Sequence, residues 1–120
     1  MQIGTDIIEI KRIKLSIEKF TSRFLNRIYT PQEIDYCEAK KAQKYASYAA
    51  RFAAKEAFSK ALGSGFIENI KWTDIEVSNK QSGQPFFILH GPLAAKLNEQ
   101  TTKLSLSHNR TQALAFVVIS

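Results

Sequence analysis

The chain has 120 residues, of which 44% are hydrophobic and 11% aromatic, and its 17 Lys and Arg outnumber its 11 Asp and Glu to give a formal net charge of +6 at pH 7. This composition excludes intrinsic disorder as the main description and fits one domain over residues 1–120. The sequence lacks the roughly 20 consecutive apolar residues that a membrane span requires, and it lacks the apolar core of a secretory signal. A basic surface favours a polyanionic partner, which leaves nucleic acid, a phosphate-rich small molecule, anionic lipid and an acidic protein as candidates.

The single cysteine, Cys37, is expected to be a small buried residue. One cysteine excludes an internal disulfide framework and a multi-cysteine zinc site, and it is typical of a reducing compartment. We therefore expect a cytoplasmic protein without a membrane partner.

The N-terminal part of the chain predicts one strand followed by helices. Residues 2–8 form a β-branched apolar run that is typical of a buried strand, interrupted by Gly4 and Asp6. Apolar residues at helical spacing then predict a helix over 10–20, and a second short helical segment follows over 23–28.

Two further helices are predicted before residue 65. Thr30-Pro31-Gln32-Glu33 is a capping-box signature, which predicts a helix from this point to about Lys41. The longest helical pattern covers about 42–62 and ends at Gly63-Ser64-Gly65, because glycine favours a helix C-terminus.

The C-terminal part is richer in strands and turns. Its predicted elements, in chain order, are a hairpin of strands 75–77 and 85–89, a short helix over 91–97, and a strand pair over 104–108 and 113–119. Helices come mostly first and antiparallel strands mostly last, which is the order of an α+β fold.

Two carboxylates interrupt apolar patterns. Glu56 falls within the apolar stripe predicted for the long helix, and Asp6 lies in the first strand. The predicted stripe consists of Tyr45, Tyr48, Ala49, Phe52 and Ser59. A simple structural alternative exists for each carboxylate: Glu56 could pair with Lys60 one turn later, and Asp6 could cap the following helix. Mg²⁺ takes one or two carboxylates and fills its other positions with water and phosphate oxygens, so the two residues together suggest a metal site.

Basic residues accompany Glu56 on the same helix. Arg51 and Lys55 lie one turn apart on its flank, and Lys60 follows. They form either a solvated helix face or a phosphate-binding ridge, and the adjoining Gly63-Ser64-Gly65 would let backbone approach a ligand closely.

The remaining polar candidates carry weaker signals. His108 continues the alternation of Leu104 and Leu106 and is expected on the apolar side of its strand, where a structural histidine is more common than a site histidine. The basic residues of the first two helices, which include Arg12, Arg23 and Arg27, form either a docking surface for a polyanion or a solvated face.

Several separated segments together resemble the motifs of one family. Gly4-Thr5-Asp6-Ile7-Ile8-Glu9-Ile10 is similar to the N-terminal G-x-D-(I/L)-x-x-(I/V) motif of the holo-acyl-carrier-protein synthases, which belong to the 4′-phosphopantetheinyl transferases. Residues 51–63, RFAAKEAFSKALG, resemble the more specific F-x-x-K-E-A-x-x-K-A-x-G motif. Gly83-Gln84-Pro85 and Ser105-Leu106-Ser107-His108 match two further signatures, so the resemblance covers the whole chain.

The resemblance implies an Mg²⁺-dependent transferase that moves 4′-phosphopantetheine from coenzyme A to a serine of apo-acyl carrier protein, for fatty acid biosynthesis. It also implies the phosphopantetheinyl transferase fold and a homotrimer with its active sites at subunit interfaces. A basic enzyme would attract the acidic carrier protein electrostatically.

The resemblance also implies roles for individual residues. Asp6 and Glu56 would hold Mg²⁺, Lys60 would neutralise phosphate charge, and Arg12, Arg23 and Arg27 would dock the carrier. The residues implied to contact coenzyme A are Arg51, Lys55, Ser59, Gly63, Ser64, Gly65, Pro85 and His108. Glu56, directly or through a metal-bound water, is the preferred base for the serine proton, and His108 is the alternative.

Two other functions remain open at this stage. A small basic nucleic-acid-binding module without catalysis would leave Asp6 and Glu56 as structural groups. A non-catalytic oligomerisation subunit would have no affinity for a nucleotide.

Overall fold

The computed structural model describes residues 1–63 and 70–120 and confirms the α+β fold. The strands are β1 (Gln2–Glu9), β2 (Ile75–Asn79), β3 (Pro85–Leu89), β4 (Thr102–His108) and β5 (Gln112–Ile119). The helices are α1 (Ile10–Phe20), α2 (Ser22–Ile28), α3 (Pro31–Glu38), α4 (Lys44–Leu62) and α5 (Gly91–Lys96). Single 3₁₀ turns, Lys41–Gln43 and Trp72–Asp74, precede α4 and β2.

Two antiparallel sheets pack around α4. One has the strand order β1-β5-β4, so the N-terminal strand pairs with the C-terminal one, and the other is the β2-β3 hairpin. In the first sheet Asp6 lies opposite Ala115 of β5, which in turn lies opposite Leu106 of β4. This pairing brings the two ends of the chain together and fixes which residues of β1 face α4.

The capping box predicted for α3 is confirmed. Glu33 N–H donates to Thr30 Oγ1, and Thr30 N–H donates to Glu33 Oε1 at 2.9 Å. The helix ends earlier than predicted, at Glu38, because the chain turns through the 3₁₀ segment before α4 begins.

The prediction of a buried first strand is wrong about burial. β1 alternates: Gly4, Asp6 and Ile8 face α4, whereas Ile3 and Ile7 lie on the outer face and are exposed. Since both faces of this strand carry apolar residues, its sequence alone did not indicate which side is covered.

The apolar stripe predicted for α4 is confirmed only in part, because Tyr48 and Ala49 are fully buried but the other members are not. Small residues on the other sides of the helix are buried, and they include Ala53, Ala54 and Ala57. Phe52 and Ser59, which were assigned to the core stripe, are only partly buried. Glu56 therefore lies on the more open side of α4, together with Phe52, Ser59 and Lys60.

Within the part of the chain that the structure describes, no helix is long and apolar enough to span a membrane. Cys37 is fully buried in α3, as predicted. Burial raises the pKa of its thiol to about 11, which keeps the side chain protonated and unreactive.

Candidate functional site

The structure brings Asp6 and Glu56 to one cleft of about 490 Å³. Asp6 comes from β1 and Glu56 from α4, and the cleft extends over the start of α1. The other lining residues used below are Arg12, Ser16, Phe24 and Phe52. Two acidic side chains that are 50 positions apart in the sequence thus share one opening.

Lys60 joins this pair through Asp6. Its Nζ donates to Asp6 Oδ1 at 3.0 Å, and the Asp6 side chain is only 15% exposed. The predicted alternative, a Lys60–Glu56 ion pair, is therefore not the bond that forms. The other alternative is also wrong, because Glu9 rather than Asp6 occupies the N-cap of α1.

The surroundings of Glu56 disfavour its negative charge. Burial raises the pKa of this carboxyl, the nearby Asp6 carboxylate raises it further, and Lys60 lowers it by a smaller amount. A carboxylate in this position gains from any cation that enters the cleft.

The donor set suits a small hard cation. Among residues 1–63 and 70–120, no third Asp, Glu, His or Cys joins the pair to form a metal-binding cluster of three or more. Two carboxylates at the mouth of an open cleft fit Mg²⁺, which keeps several waters and takes phosphate oxygens rather than a complete set of protein ligands.

The three arginines predicted for carrier docking lie beside this cleft. Arg12 lines the cleft itself, and Arg23 and Arg27 line an adjoining groove of about 290 Å³ with Phe20. The cleft and the groove share Ser16 and Phe24. A basic, partly aromatic surface therefore runs directly into the acidic pair.

Ser59 and Gly63 lie at the C-terminal end of α4, close to Glu56 in the sequence. Ser59 lines a cavity of about 260 Å³ with Trp72, which stacks on Phe52 at 5.5 Å between ring centroids. Gly63 ends the helix with φ of 56°, a conformation that favours glycine. The predicted ligand residues Ser64 and Gly65 lie outside the described residues.

Lys55 does not lie on a ligand-binding face, which corrects the prediction. Its side chain is 0% exposed, and Nζ donates to Glu33 Oε1 at 2.8 Å and to the carbonyl oxygens of Trp72 and Ile75 at 3.0 and 2.6 Å. Burial lowers the pKa of Lys55, and Glu33 opposes that shift. Lys55 thus holds α4, α3 and the start of β2 together.

Arg51 is also buried rather than solvated. It donates a short hydrogen bond to Asn79 Oδ1, and its guanidinium lies 4.0 Å from the centre of the Tyr36 ring. Among the described residues its Nε has no hydrogen-bond partner. The Arg51 side chain lines a cavity of about 270 Å³ that His108 also lines.

His108 and Pro85 belong with Arg51 rather than with the carboxylates. His108 lies on the same face of β4 as Leu104 and Leu106, as predicted, but the end of the strand leaves it exposed. Pro85 lies opposite Asn79 in the β2-β3 hairpin. The predicted site residues of one chain therefore lie on several separate cavities rather than on one.

Sequence reasoning missed the network beneath the site. Glu33 was identified only as a capping residue, yet its Oε2 also accepts from Val77 N–H at 2.8 Å. Thr30 Oγ1 donates to Glu76 Oε2 at 2.5 Å, and Glu76 Oε1 lies 2.9 Å from His90 Nε2. The sequence signal that could have revealed this network is Lys55 in the Lys55-Glu56 pair of the long helix. A lysine that is buried needs an acidic partner, and Glu33 is that partner.

An α+β fold with an acidic pair beside a basic groove is suited to a transferase that handles a phosphorylated substrate. The family model described as the 4′-phosphopantetheinyl transferase superfamily matches residues 2–117. The chain therefore belongs to this superfamily.

Relatives and solved structures point to one branch of it. Holo-[acyl-carrier-protein] synthase of Ruminiclostridium cellulolyticum is 46% identical over 123 residues, which cover 100% of this chain and 92% of that protein. The Solibacter usitatus protein of the same name is 44% identical over 119 residues, or 97% of this chain and 94% of that one. The Helicobacter pylori holo-[acyl-carrier-protein] synthase, solved in complex with coenzyme A, matches with a TM-score of 0.86 and 36% identity over 98% of this chain and 99% of that chain.

Proposed function

We propose that this chain is a holo-[acyl-carrier-protein] synthase. It transfers 4′-phosphopantetheine from coenzyme A to a serine of apo-acyl carrier protein, in the cytoplasm and for fatty acid biosynthesis, and residues 1–120 form its single domain. The observation that carries the proposal is the cleft that Asp6 and Glu56 share, with Arg12 in its wall. The relatives named above, similar over nearly the whole chain, support the same conclusion.

Asp6 and Glu56 would hold Mg²⁺. The bound ion would neutralise charge on the pyrophosphate of coenzyme A. Neutralising this charge would lower a substantial part of the barrier to phosphoryl transfer. Lys60 is 56% exposed beside Asp6, so its ammonium can turn toward a phosphate once a cation replaces it at the carboxylate. The basic charge is thereby placed where the leaving group becomes more negative.

The transfer step is an in-line displacement. The serine Oγ forms a bond to the phosphorus that carries pantetheine, and the bond from this phosphorus to the bridging oxygen of 3′,5′-ADP breaks. Glu56 takes the serine proton directly or through a water. In the metal-free protein, burial and the neighbouring Asp6 carboxylate raise the pKa of Glu56, which favours uptake of a proton there.

The carrier docks on the arginine groove. Arg12, Arg23 and Arg27 line adjoining cavities that lead to the carboxylates, so an acidic carrier bound there can present its serine to Glu56. An acidic carrier accounts for the basic surface, so a nucleic-acid partner is not needed to explain it.

Coenzyme A would contact Ser59, Gly63 and the adjoining Ser64-Gly65, and on the other side Arg51, Pro85 and His108. Since Ser59 lines one cavity of the chain and Arg51 and His108 line another, we propose that neighbouring subunits complete each site. His108 then binds the nucleotide rather than acting as the base.

An exposed apolar surface supports a homotrimer. The outer face of the β1-β5-β4 sheet carries Ile3, Ile7, Leu114 and Phe116, whose exposed fractions run from 42% to 60%. These residues are neighbours in the register, with Ile7 opposite Leu114 and Thr5 opposite Phe116. Contiguous exposed apolar groups of this kind mark an interface.

The test of the proposed function is transfer itself. Apo-acyl carrier protein, coenzyme A and Mg²⁺ are incubated with the enzyme, and the carrier is weighed by mass spectrometry. We expect conversion to the phosphopantetheinylated form, its loss with EDTA, and its loss in folded Asp6→Ala and Glu56→Ala variants. Glu99→Ala, which removes an exposed carboxylate that does not line the cleft, is the control that must keep activity. A wild-type enzyme that leaves the carrier mass unchanged would refute the proposal.

A further inference from the structure

Gly4 lies where β1 passes directly over α4. A Cβ atom added at Gly4 would lie 2.0 Å from the carbonyl oxygen of Ala57 and 2.7 Å from the amide nitrogen of Ala61. Both are backbone atoms of α4, so rotation of a side chain cannot relieve the contact. Only a residue without a Cβ fits between the strand and the helix here.

This contact is adjacent to both carboxylates. Gly4 and Asp6 are two residues apart on β1, so they face the same side of the sheet and both face α4. Glu56 immediately precedes Ala57 on the helix, and Lys60, which precedes Ala61, reaches Asp6 across the same interface. The separation of β1 and α4 at Gly4 therefore sets how closely Asp6 approaches Glu56.

We propose that Gly4 is a positioning residue: by letting β1 lie against the backbone of α4, it holds Asp6 and Glu56 close enough to share one divalent cation. The inference rests on the proposed function of the carboxylate pair. It assigns the glycine of the N-terminal motif a role in the distance between strand and helix, separate from the metal ligand two residues later.

The size of the expected displacement follows from the contact. Moving a Cβ from 2.0 Å to the 3.4 Å at which ordinary contact begins requires a shift of about 1.4 Å. β1 pairs with β5 from Gln2 to Glu9, so the strand moves with its neighbours and carries Asp6 along. A displacement of about 1 Å at a reacting centre can cost ~100-fold in rate.

The experiment compares the wild type with Gly4→Ala and Val117→Ala. Val117 is the register partner of Gly4 on β5 and is fully buried, so its truncation weakens the same layer without adding an atom between β1 and α4. Free Mn²⁺ is measured by electron paramagnetic resonance in the presence of coenzyme A, and circular dichroism reports folding. Transfer to apo-carrier is measured at one subsaturating Mn²⁺ concentration.

We expect Gly4→Ala to fold, to bind Mn²⁺ at least ~10-fold more weakly and to lose ~100-fold in kcat/KM. Val117→Ala should melt at a lower temperature yet keep the wild-type Mn²⁺ affinity. The proposal is overturned if Gly4→Ala binds Mn²⁺ as the wild type does, or if Val117→Ala loses as much affinity as Gly4→Ala.

Two further outcomes are also decisive. The proposal requires that β1 shift as an intact strand and carry Asp6 with it. A Gly4→Ala chain that cannot be recovered folded, even in the cold with a stabilising osmolyte, would therefore overturn it. If the wild type itself bound no Mn²⁺ in the presence of coenzyme A, the proposed function would fail, and this result is distinguishable from a difference between variants.

Discussion

Replacing Lys55 with alanine is expected to destabilise the protein rather than to weaken coenzyme A binding selectively. The Lys55 and Glu33 side chains are both 0% exposed and form an ion pair of 2.8 Å. Removing the ammonium leaves the Glu33 carboxylate buried without its cation. It also leaves the carbonyl oxygens of Trp72 and Ile75 without their side-chain donor.

The structure sets the magnitude of the loss. Breaking a buried ion pair by removing one partner costs about 3 to 5 kcal/mol. The carboxylate keeps two backbone donors, Thr30 N–H and Val77 N–H, which continue to stabilise its charge and favour the lower end of that range. For a domain of this size the change corresponds to a fall in Tm of roughly 10 to 20 °C.

The assay is thermal and urea unfolding at one fixed protein concentration, because association makes Tm depend on concentration. Lys44→Ala is the matched control. Lys44 belongs to the same helix and pairs with Glu38 at 3.3 Å, but both side chains are substantially exposed, so its loss should cost at most ~1 kcal/mol. A Lys55→Met, Glu33→Gln double variant should lose less stability than the sum of its single changes.

A different pattern would refute this reasoning. If Lys55→Ala melted like the wild type and its defect lay only in the KM for coenzyme A, then Lys55 would contact the ligand as the sequence predicted. Additive losses in the double variant would show that the two side chains are not coupled.

Three further predictions concern the cleft and the surfaces around it. Glu56→Gln should raise the Tm of the metal-free protein at neutral pH, because the folded-state pKa of Glu56 is raised above 4.5 and its charge is therefore destabilising. The gain in Tm should vanish in melts below about pH 4.5, where the carboxyl is protonated in both states. A gain that persists there would show that the charge of Glu56 is not its cause. Phe116→Asp places a charge on the exposed apolar sheet face that we propose as the trimer interface. Light scattering should show monomers, and the transfer assay should show at least ~10-fold less activity. An unchanged trimer would place the interface elsewhere. Replacing Arg12, Arg23 and Arg27 by Glu should raise the KM for the carrier at least ~10-fold, and the effect should be weaker at high salt. The affinity for coenzyme A, measured by calorimetry, should stay the same. Equal weakening of carrier binding and coenzyme A binding would mean that the docking groove is misplaced.

The order of elements was predictable because local signals specify it. The capping box of α3, the helical spacing in α1 and the turn-rich segment between β2 and β3 each depend on residues close together in the chain, and the structure confirms all three. The burial of β1 was not predictable in this way. Both of its faces are apolar, and pairing with the distant β5 decides which one meets the helix.

The same distinction applies to the candidate site. Asp6 and Glu56 could be selected because each interrupts an apolar pattern, although no local signal shows that they share a cleft. The partners of Lys55 come from α3 and from the start of β2, so helical spacing, which left a solvated face or a phosphate-binding ridge open, did not show that this side chain is buried. The burial of Arg51 was not predictable for the same reason, since Asn79 and Tyr36 enclose it from separate elements.

The most direct measurement is a crystal structure of the protein with Mn²⁺ and coenzyme A, recorded at the manganese absorption edge. The account predicts one anomalous peak between the carboxyl groups of Asp6 and Glu56, bound also to an oxygen of the pyrophosphate. A peak that contacts neither carboxylate, or carboxyl oxygens too far apart to reach the same ion, would contradict it.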